Sequence, residues 1–167
     1  GQLRASEQNR GHALLALGRI DEAEGCFAEL VKTDDWTTRW QAKVSQAAVA
    51  EYRGQYQRAL ELLDEVNGMV TTAPDVRAAQ QLQLYAAGNI ANVHLACGDQ
   101  RAAAAEAGRA LELAEGLANR DQYIEALLTL GVCQRFDGQL ARSRMTLETA
   151  IRWARLANDG GREALGR

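Results

Sequence analysis

Apolar residues along this 167-residue chain return at intervals of three and four, and four of these stretches stop at a glycine. Intervals of that size place side chains on one face of an α-helix. Glycine readily takes the left-handed conformation that closes helices, so Gly18, Gly54, Gly98 and Gly138 read as helix ends. The pattern predicts four helix pairs. They are Leu3–Leu17 with Asp21–Lys32, Thr37–Arg53 with Tyr56–Val70, Asp75–Cys97 with Gln100–Ala118, and Gln122–Phe136 with Leu140–Ala157. Strand signals are weak: Asp137-Gly138 is the one hairpin-like dipeptide, and its flanks keep a helical period. The fold class predicted is all-α.

The four glycines share a register. Seven residues before them stand Gly11, Ala47, Ala91 and Gly131, and five after stand Ala23, Ala59, Ala103 and Ser143. Nine after come Phe27, Leu63, Ala107 and Leu147, and twelve after come Leu30, Val66, Ala110 and Ala150. The glycines are 36, 44 and 40 residues apart, so length varies between pairs while offsets inside a pair stay fixed. Small residues twelve apart and straddling a turn are expected to meet where two helices cross: Gly11 with Ala23, Ala47 with Ala59, Ala91 with Ala103, Gly131 with Ser143. Phe27, Leu63 and Leu147 are then expected to fill the space between successive pairs, and Leu111 to assist the alanine-lined third repeat. Thr33-Asp34-Asp35 and Thr71–Asp75 read as linkers, the second holding the chain's one proline, Pro74. Trp36 falls in the first linker on this reading, while core filling is the expectation for Trp40 and Trp153.

A small residue, a glycine seven on, a small residue five further and a larger one four beyond that resemble the tetratricopeptide repeat. The segment from Asn119 through Asp159 carries the pattern best. It is similar to the longer, roughly forty-residue repeats of bacterial signalling proteins, such as MalT-type and other large LuxR-type regulators and sensor regions fused to cyclases. The resemblance implies a right-handed α-α superhelix of about four antiparallel helix pairs. It implies one domain over residues 1–167, with repeats at about 3–33, 37–72, 75–119 and 121–158. Glu163-Ala164-Leu165 echoes Glu125-Ala126-Leu127, so 159–167 reads as the start of a further helix, in a chain excised from a longer protein. The proline that usually closes each repeat is missing here, which fits longer second helices.

The resemblance also implies a concave face lined by first helices, with His12, Ser45, Glu51, Tyr52, Tyr85, Asn89, Asn92, Glu125, Thr129, Arg135 and Phe136 as peptide- or protein-binding residues. Asn89 and Asn92, three apart, share one side of their helix, where they can bond the main chain of an extended peptide. Lys32 and Lys43 lie off these positions, so the carboxylate clamp used for chaperone tails is not expected.

Composition narrows the function classes. Net charge is −3, from 19 basic and 22 acidic residues mixed along the chain. No basic block tracks a phosphate backbone, so a nucleic-acid partner is not expected. No apolar run nears twenty residues, so no membrane span is expected. Cys26, Cys97 and Cys133 lie in helical apolar patterns and read as reduced, buried thiols of a cytoplasmic protein. His12 and His94 lack metal-ligand spacing with any cysteine, and no nucleotide-binding or hydrolase motif occurs, so neither a metal, a cofactor nor catalysis is expected. The reading is a protein- or peptide-binding scaffold or sensory module of a larger bacterial signalling or transcription-regulatory protein. The alternative is a structural self-association module, a homodimer through a terminal helix.

Overall fold

The computed structural model describes the backbone of residues 2–165 and the side chains of residues 5–156. The α-helices are α1 (Gln2–Ala16), α2 (Ile20–Val31), α3 (Trp36–Tyr52), α4 (Tyr56–Gly68), α5 (Val76–Ala96), α6 (Gln100–Gly116), α7 (Arg120–Phe136) and α8 (Leu140–Leu165). A 3-10 turn, Met69–Thr72, follows α4. No strand occurs among the described residues. Two compact units divide the chain, Gly1–Leu82 and Gln83–Arg167, and the division falls inside α5.

Most helix ends fall within one or two residues of the sequence expectation, the α6 end among them, and two differences change how a segment is read. Trp36 is the first residue of α3 rather than linker, because Asp35 caps the helix by accepting from the Thr38 N–H at 2.8 Å. Its half-buried indole is tied down as well, donating to Thr72 Oγ1 at 3.2 Å. The second difference is at α8, which runs unbroken to Leu165, so a new helix does not start at 159. Once a helix is nucleated each added residue gains a hydrogen bond, and no proline stands there to stop it. Residues 166 and 167 of that expected segment lie outside the described residues.

Every pair closes in the same way. Gly18, Gly54, Gly98 and Gly138 all have φ between 71° and 87°. In each case the glycine N–H bonds a carbonyl three residues back, and the next N–H bonds one five back, as Gly18 does to Leu15 and Arg19 to Leu14. These two bonds satisfy carbonyls that a helix end leaves unpaired. The α6–α7 turn repeats the geometry without a glycine: Ala118 takes φ 53°, its N–H reaching Glu115 O and that of Asn119 reaching Ala114 O. The left-handed conformation costs an L-residue about 1–2 kcal/mol. Ala118→Gly is therefore expected to stabilise unit 2 by about 1 kcal/mol, seen as a higher urea midpoint; a lowered midpoint would contradict the assignment.

In the first and fourth pairs, the residue seven before the glycine meets the one nine after it. A methyl added at Gly11 would lie 2.5 Å from the ring of Phe27, and one added at Gly131 would lie 2.6 Å from Leu147 Cδ2. Phe27 and Leu147 thus occupy the space the two glycines vacate within their own pair, a role beside that of the spacers between pairs suggested by the sequence. The predicted Gly131–Ser143 contact is present, with Ser143 Oγ donating to Gly131 O at 2.7 Å across the buried crossing. Phe27 also joins the unit 1 core, with Leu14, Leu15, Ala23, Cys26, Leu30 and, from α3, Ala42 and Val49. In unit 2 a second core gathers Leu84, Ala87, Ala110, Ala114 and Ala126, with Leu111 packed against it as anticipated. Of the three cysteines, Cys26 and Cys133 are buried, whereas Cys97 follows the end of α5 and is exposed.

Candidate functional site

Counting back from each closing glycine, the ninth residue is Asn9, Ser45, Asn89 or Thr129: polar in all four pairs. Three of these side chains turn back onto their own helix. Ser45 Oγ donates to Gln41 O at 3.0 Å and Asn89 Nδ2 to Tyr85 O at 2.8 Å, and Thr129 Oγ1 stands 3.2 Å from Glu125 O. A helix places i and i−4 on one face, and a short polar side chain there can share the carbonyl already used by the helix.

The same position reaches the neighbouring first helix. In unit 1, Ser45 Oγ lies 3.4 Å from His12 Nε2. In unit 2, Thr129 Oγ1 lies 3.2 Å from Asn92 Oδ1. His12 and Asn92 both stand six residues before their glycine, so one register makes both contacts. The sequence reading selected all four residues, and each unit brings two of them together. It did not see that the pairing recurs.

The remaining residues are placed as follows. Ser45 is only 3% exposed, which leaves it a support for His12 rather than a ligand contact. His12 packs its ring against Phe27, with centroids 5.2 Å apart, and the loss of water on that side lowers its pKa. Glu51 is half-buried on α3, and burial raises its carboxyl pKa. Tyr52 is the last residue of α3 and exposed. Tyr85 is half-buried, and Glu125 exposed. At the end of α7 the Arg135 guanidinium sits 5.7 Å from the ring centroid of Phe136, both solvent-exposed.

Two features escaped the sequence reading. Gly88 stands mid-helix on α5 and faces α7, where a Cβ would make an ordinary contact with Gln122 Oε1 at 3.6 Å. A glycine inside a helical period was the available signal. The other is a cleft of about 250 Å³ formed by Ala114, Glu115, Ala118, Asn119, Arg120, Tyr123 and Trp153. Its aromatic wall is a T-shaped Tyr123–Trp153 pair with centroids 5.8 Å apart, so Trp153 is no buried core filler. Lys43, off the face as expected, pairs with Glu65 of α4. No cluster of three metal-ligating side chains and no helix long and apolar enough to cross a membrane occurs among the described residues.

No protein-family model matches the chain. No curated protein matches it either. Among solved structures, a point-substituted variant of the kinesin light chain-like, nearly identical TPR-like repeats of Podosopora anserina superposes with a TM-score of 0.62. It is 18% identical, and the match covers 93% of this chain and 76% of that one. A second structure of the Podosopora anserina repeats is 14% identical over 90% of this chain and 94% of that one, with a TM-score of 0.41. The first likeness, together with the closing turns and the fixed offsets inside each pair, makes the fold that of TPR-like helix pairs.

Proposed function

We propose that the chain is a non-catalytic interaction module that holds an extended peptide or protein segment on its first-helix face. The observation that carries this reading is the division of hydrogen-bonding capacity between Asn89 and Asn92. Asn89 spends its amide N–H on Tyr85 O, leaving its side-chain oxygen as an acceptor. Asn92 engages its oxygen with Thr129, leaving its amide N–H groups as donors. One side chain suits a peptide N–H and its neighbour a peptide C=O, which is what main-chain recognition independent of sequence needs. Exposed Phe136 and half-buried Tyr85 supply apolar contact nearby on the same two helices. A reduced, cytoplasmic setting within a larger bacterial signalling or regulatory protein fits the three unpaired cysteines and the long repeats.

Panning a library of twelve-residue peptides on the chain tests this. Selected peptides should bind several-fold more weakly to Asn89→Ala and Asn92→Ala, each lost hydrogen bond being worth about 0.5–1.5 kcal/mol, and unchanged to Lys32→Ala. Peptides indifferent to both asparagines would refute the face. Sedimentation over a concentration series addresses self-association: a dimer that Asn92→Ala leaves intact and that blocks peptide binding would favour the structural alternative.

A further inference from the structure

Fifteen residues before and fifteen after Gly138 stand Tyr123 and Trp153, and no other pair has an aromatic at either position. The counterparts are Leu3 and Thr33, Arg39 and Met69, and Gln83 and Leu113. The two rings meet edge to face with centroids 5.8 Å apart, yet Trp153 keeps 38% of its surface exposed. Packing the helices of a pair does not require these rings, since the counterparts do without them. Together they wall the cleft of about 250 Å³ that lies between α8 and the α6–α7 turn.

The backbone around the cleft is fixed. The N–H groups of Ala118 and Asn119 donate to Glu115 O at 3.0 Å and Ala114 O at 2.8 Å, and that of Tyr123 donates to Asn119 O at 3.0 Å. Ala118 lines the cleft as well, and its φ of 53° is a conformation that the other closing turns give to glycine. A side chain kept in a strained conformation costs stability, and such strain gathers where a ligand is held. Here the methyl supplies cleft wall that a glycine would remove.

Charge narrows the occupant. Glu115 and Arg120 both line the cleft, five residues apart across the turn, and both are exposed. The ion pairs among the described residues of unit 2 are Arg109–Glu106 and Arg144–Glu148, so Glu115 and Arg120 are uncommitted among those residues. A guanidinium fork matches a carboxylate, a carboxylate accepts from an ammonium group, and aromatic walls favour a further ring. The complement is a small ligand with an aromatic body and both charges. A volume below the ~300–1,000 Å³ of drug-sized pockets holds one such group and little more. An internal peptide residue carries neither main-chain charge, and a chain terminus carries one of the two. We propose that this cleft binds a free α-amino acid with an aromatic side chain. Arg120 takes its carboxylate, Glu115 its ammonium group, and Tyr123 with Trp153 its ring. The cleft shares no residue with the first-helix face, and the proposal does not depend on that face.

The test is a titration of the isotope-labelled chain with L-phenylalanine, L-tyrosine and L-tryptophan in turn, followed by proton–nitrogen correlation spectra. The Trp153 indole N–H should shift saturably with at least one of them, while those of Trp36 and Trp40 stay in place. The N-acetyl and carboxamide derivatives of that amino acid, each missing one charge, should bind at least about ten-fold more weakly. Glu115→Gln should erase the preference over the N-acetyl form, and Arg120→Gln the preference over the carboxamide. Ala118→Gly should bind several-fold more weakly although it is more stable to urea, a combination that a purely structural methyl would not give. Trp153→Ala should abolish the shifts of the Ala118 and Asn119 amides while leaving the circular dichroism spectrum unchanged and the Asn89/Asn92 peptides still bound. The proposal is overturned if none of the three amino acids gives a saturable shift, or if binding ignores both Glu115→Gln and Arg120→Gln. It is equally overturned if the doubly blocked N-acetyl carboxamide binds as well as the free amino acid, which would make a peptide side chain the occupant.

Discussion

Replacing Phe27 by alanine is expected to destabilise unit 1 by about 3–5 kcal/mol. The ring has no exposed surface, sits in the core shared by α1, α2 and α3, and lies against the His12 ring. The cost of a truncation rises with the cavity left behind, and this cavity cannot easily close. On the α1 side the neighbour is Gly11, which has no side chain to move into the gap. Urea unfolding followed by far-ultraviolet circular dichroism measures the loss. A change below about 1 kcal/mol would mean that the ring is not central to the core.

Gly11→Ala is expected to cost about 1–3 kcal/mol by overpacking, and Phe27→Leu in the same chain to recover part of it. The added methyl meets two ring carbons of Phe27, at 2.5 and 2.7 Å. The ring is fully enclosed and rigid, so it cannot yield. The second pair shows why leucine should help: the equivalent positions are Ala47 and Leu63, both essentially buried. An alanine and a leucine therefore fit where a glycine and a phenylalanine also fit. Gly131→Ala should cost less, since the atoms it meets belong to Leu147, an aliphatic side chain that can change rotamer more readily than an enclosed ring. Additive losses in the Gly11→Ala/Phe27→Leu chain would show that the two residues do not share the space.

How much of this the chain discloses before folding depends on whether the signal is local. Helix ends were legible at Gly18, Gly54, Gly98 and Gly138 because a left-handed residue is chemically marked. Ala118 adopts the same conformation unmarked, while Gly116, two residues earlier, stays helical, so the α6 end was read two residues late. The residues of the first-helix face were legible singly, but the recurring bond from the ninth position to the sixth was not. That bond joins different repeats, Ser45 with His12 and Thr129 with Asn92, across separations of 33 and 37 residues. That Phe27 and Leu147 fill the space over Gly11 and Gly131 was not legible for a related reason: offset arithmetic cannot say how far a longer side chain, one turn beyond the small residue, reaches over the glycine. Cys97 looked buried by periodicity, yet it falls just past the last helical residue, where the period no longer sets the facing side.

The packing inside a pair turns on Gly11 meeting Phe27 and Gly131 meeting Leu147, seven before and nine after their closing glycines. Nuclear Overhauser contacts in the isotope-labelled chain read this directly. The prediction is a strong contact between the Gly11 α-protons and the Phe27 ring, with a ring-current shift at Gly11, and a second between the Gly131 α-protons and the Leu147 methyls. Ordinary shifts at Gly11 with neither contact present would contradict it.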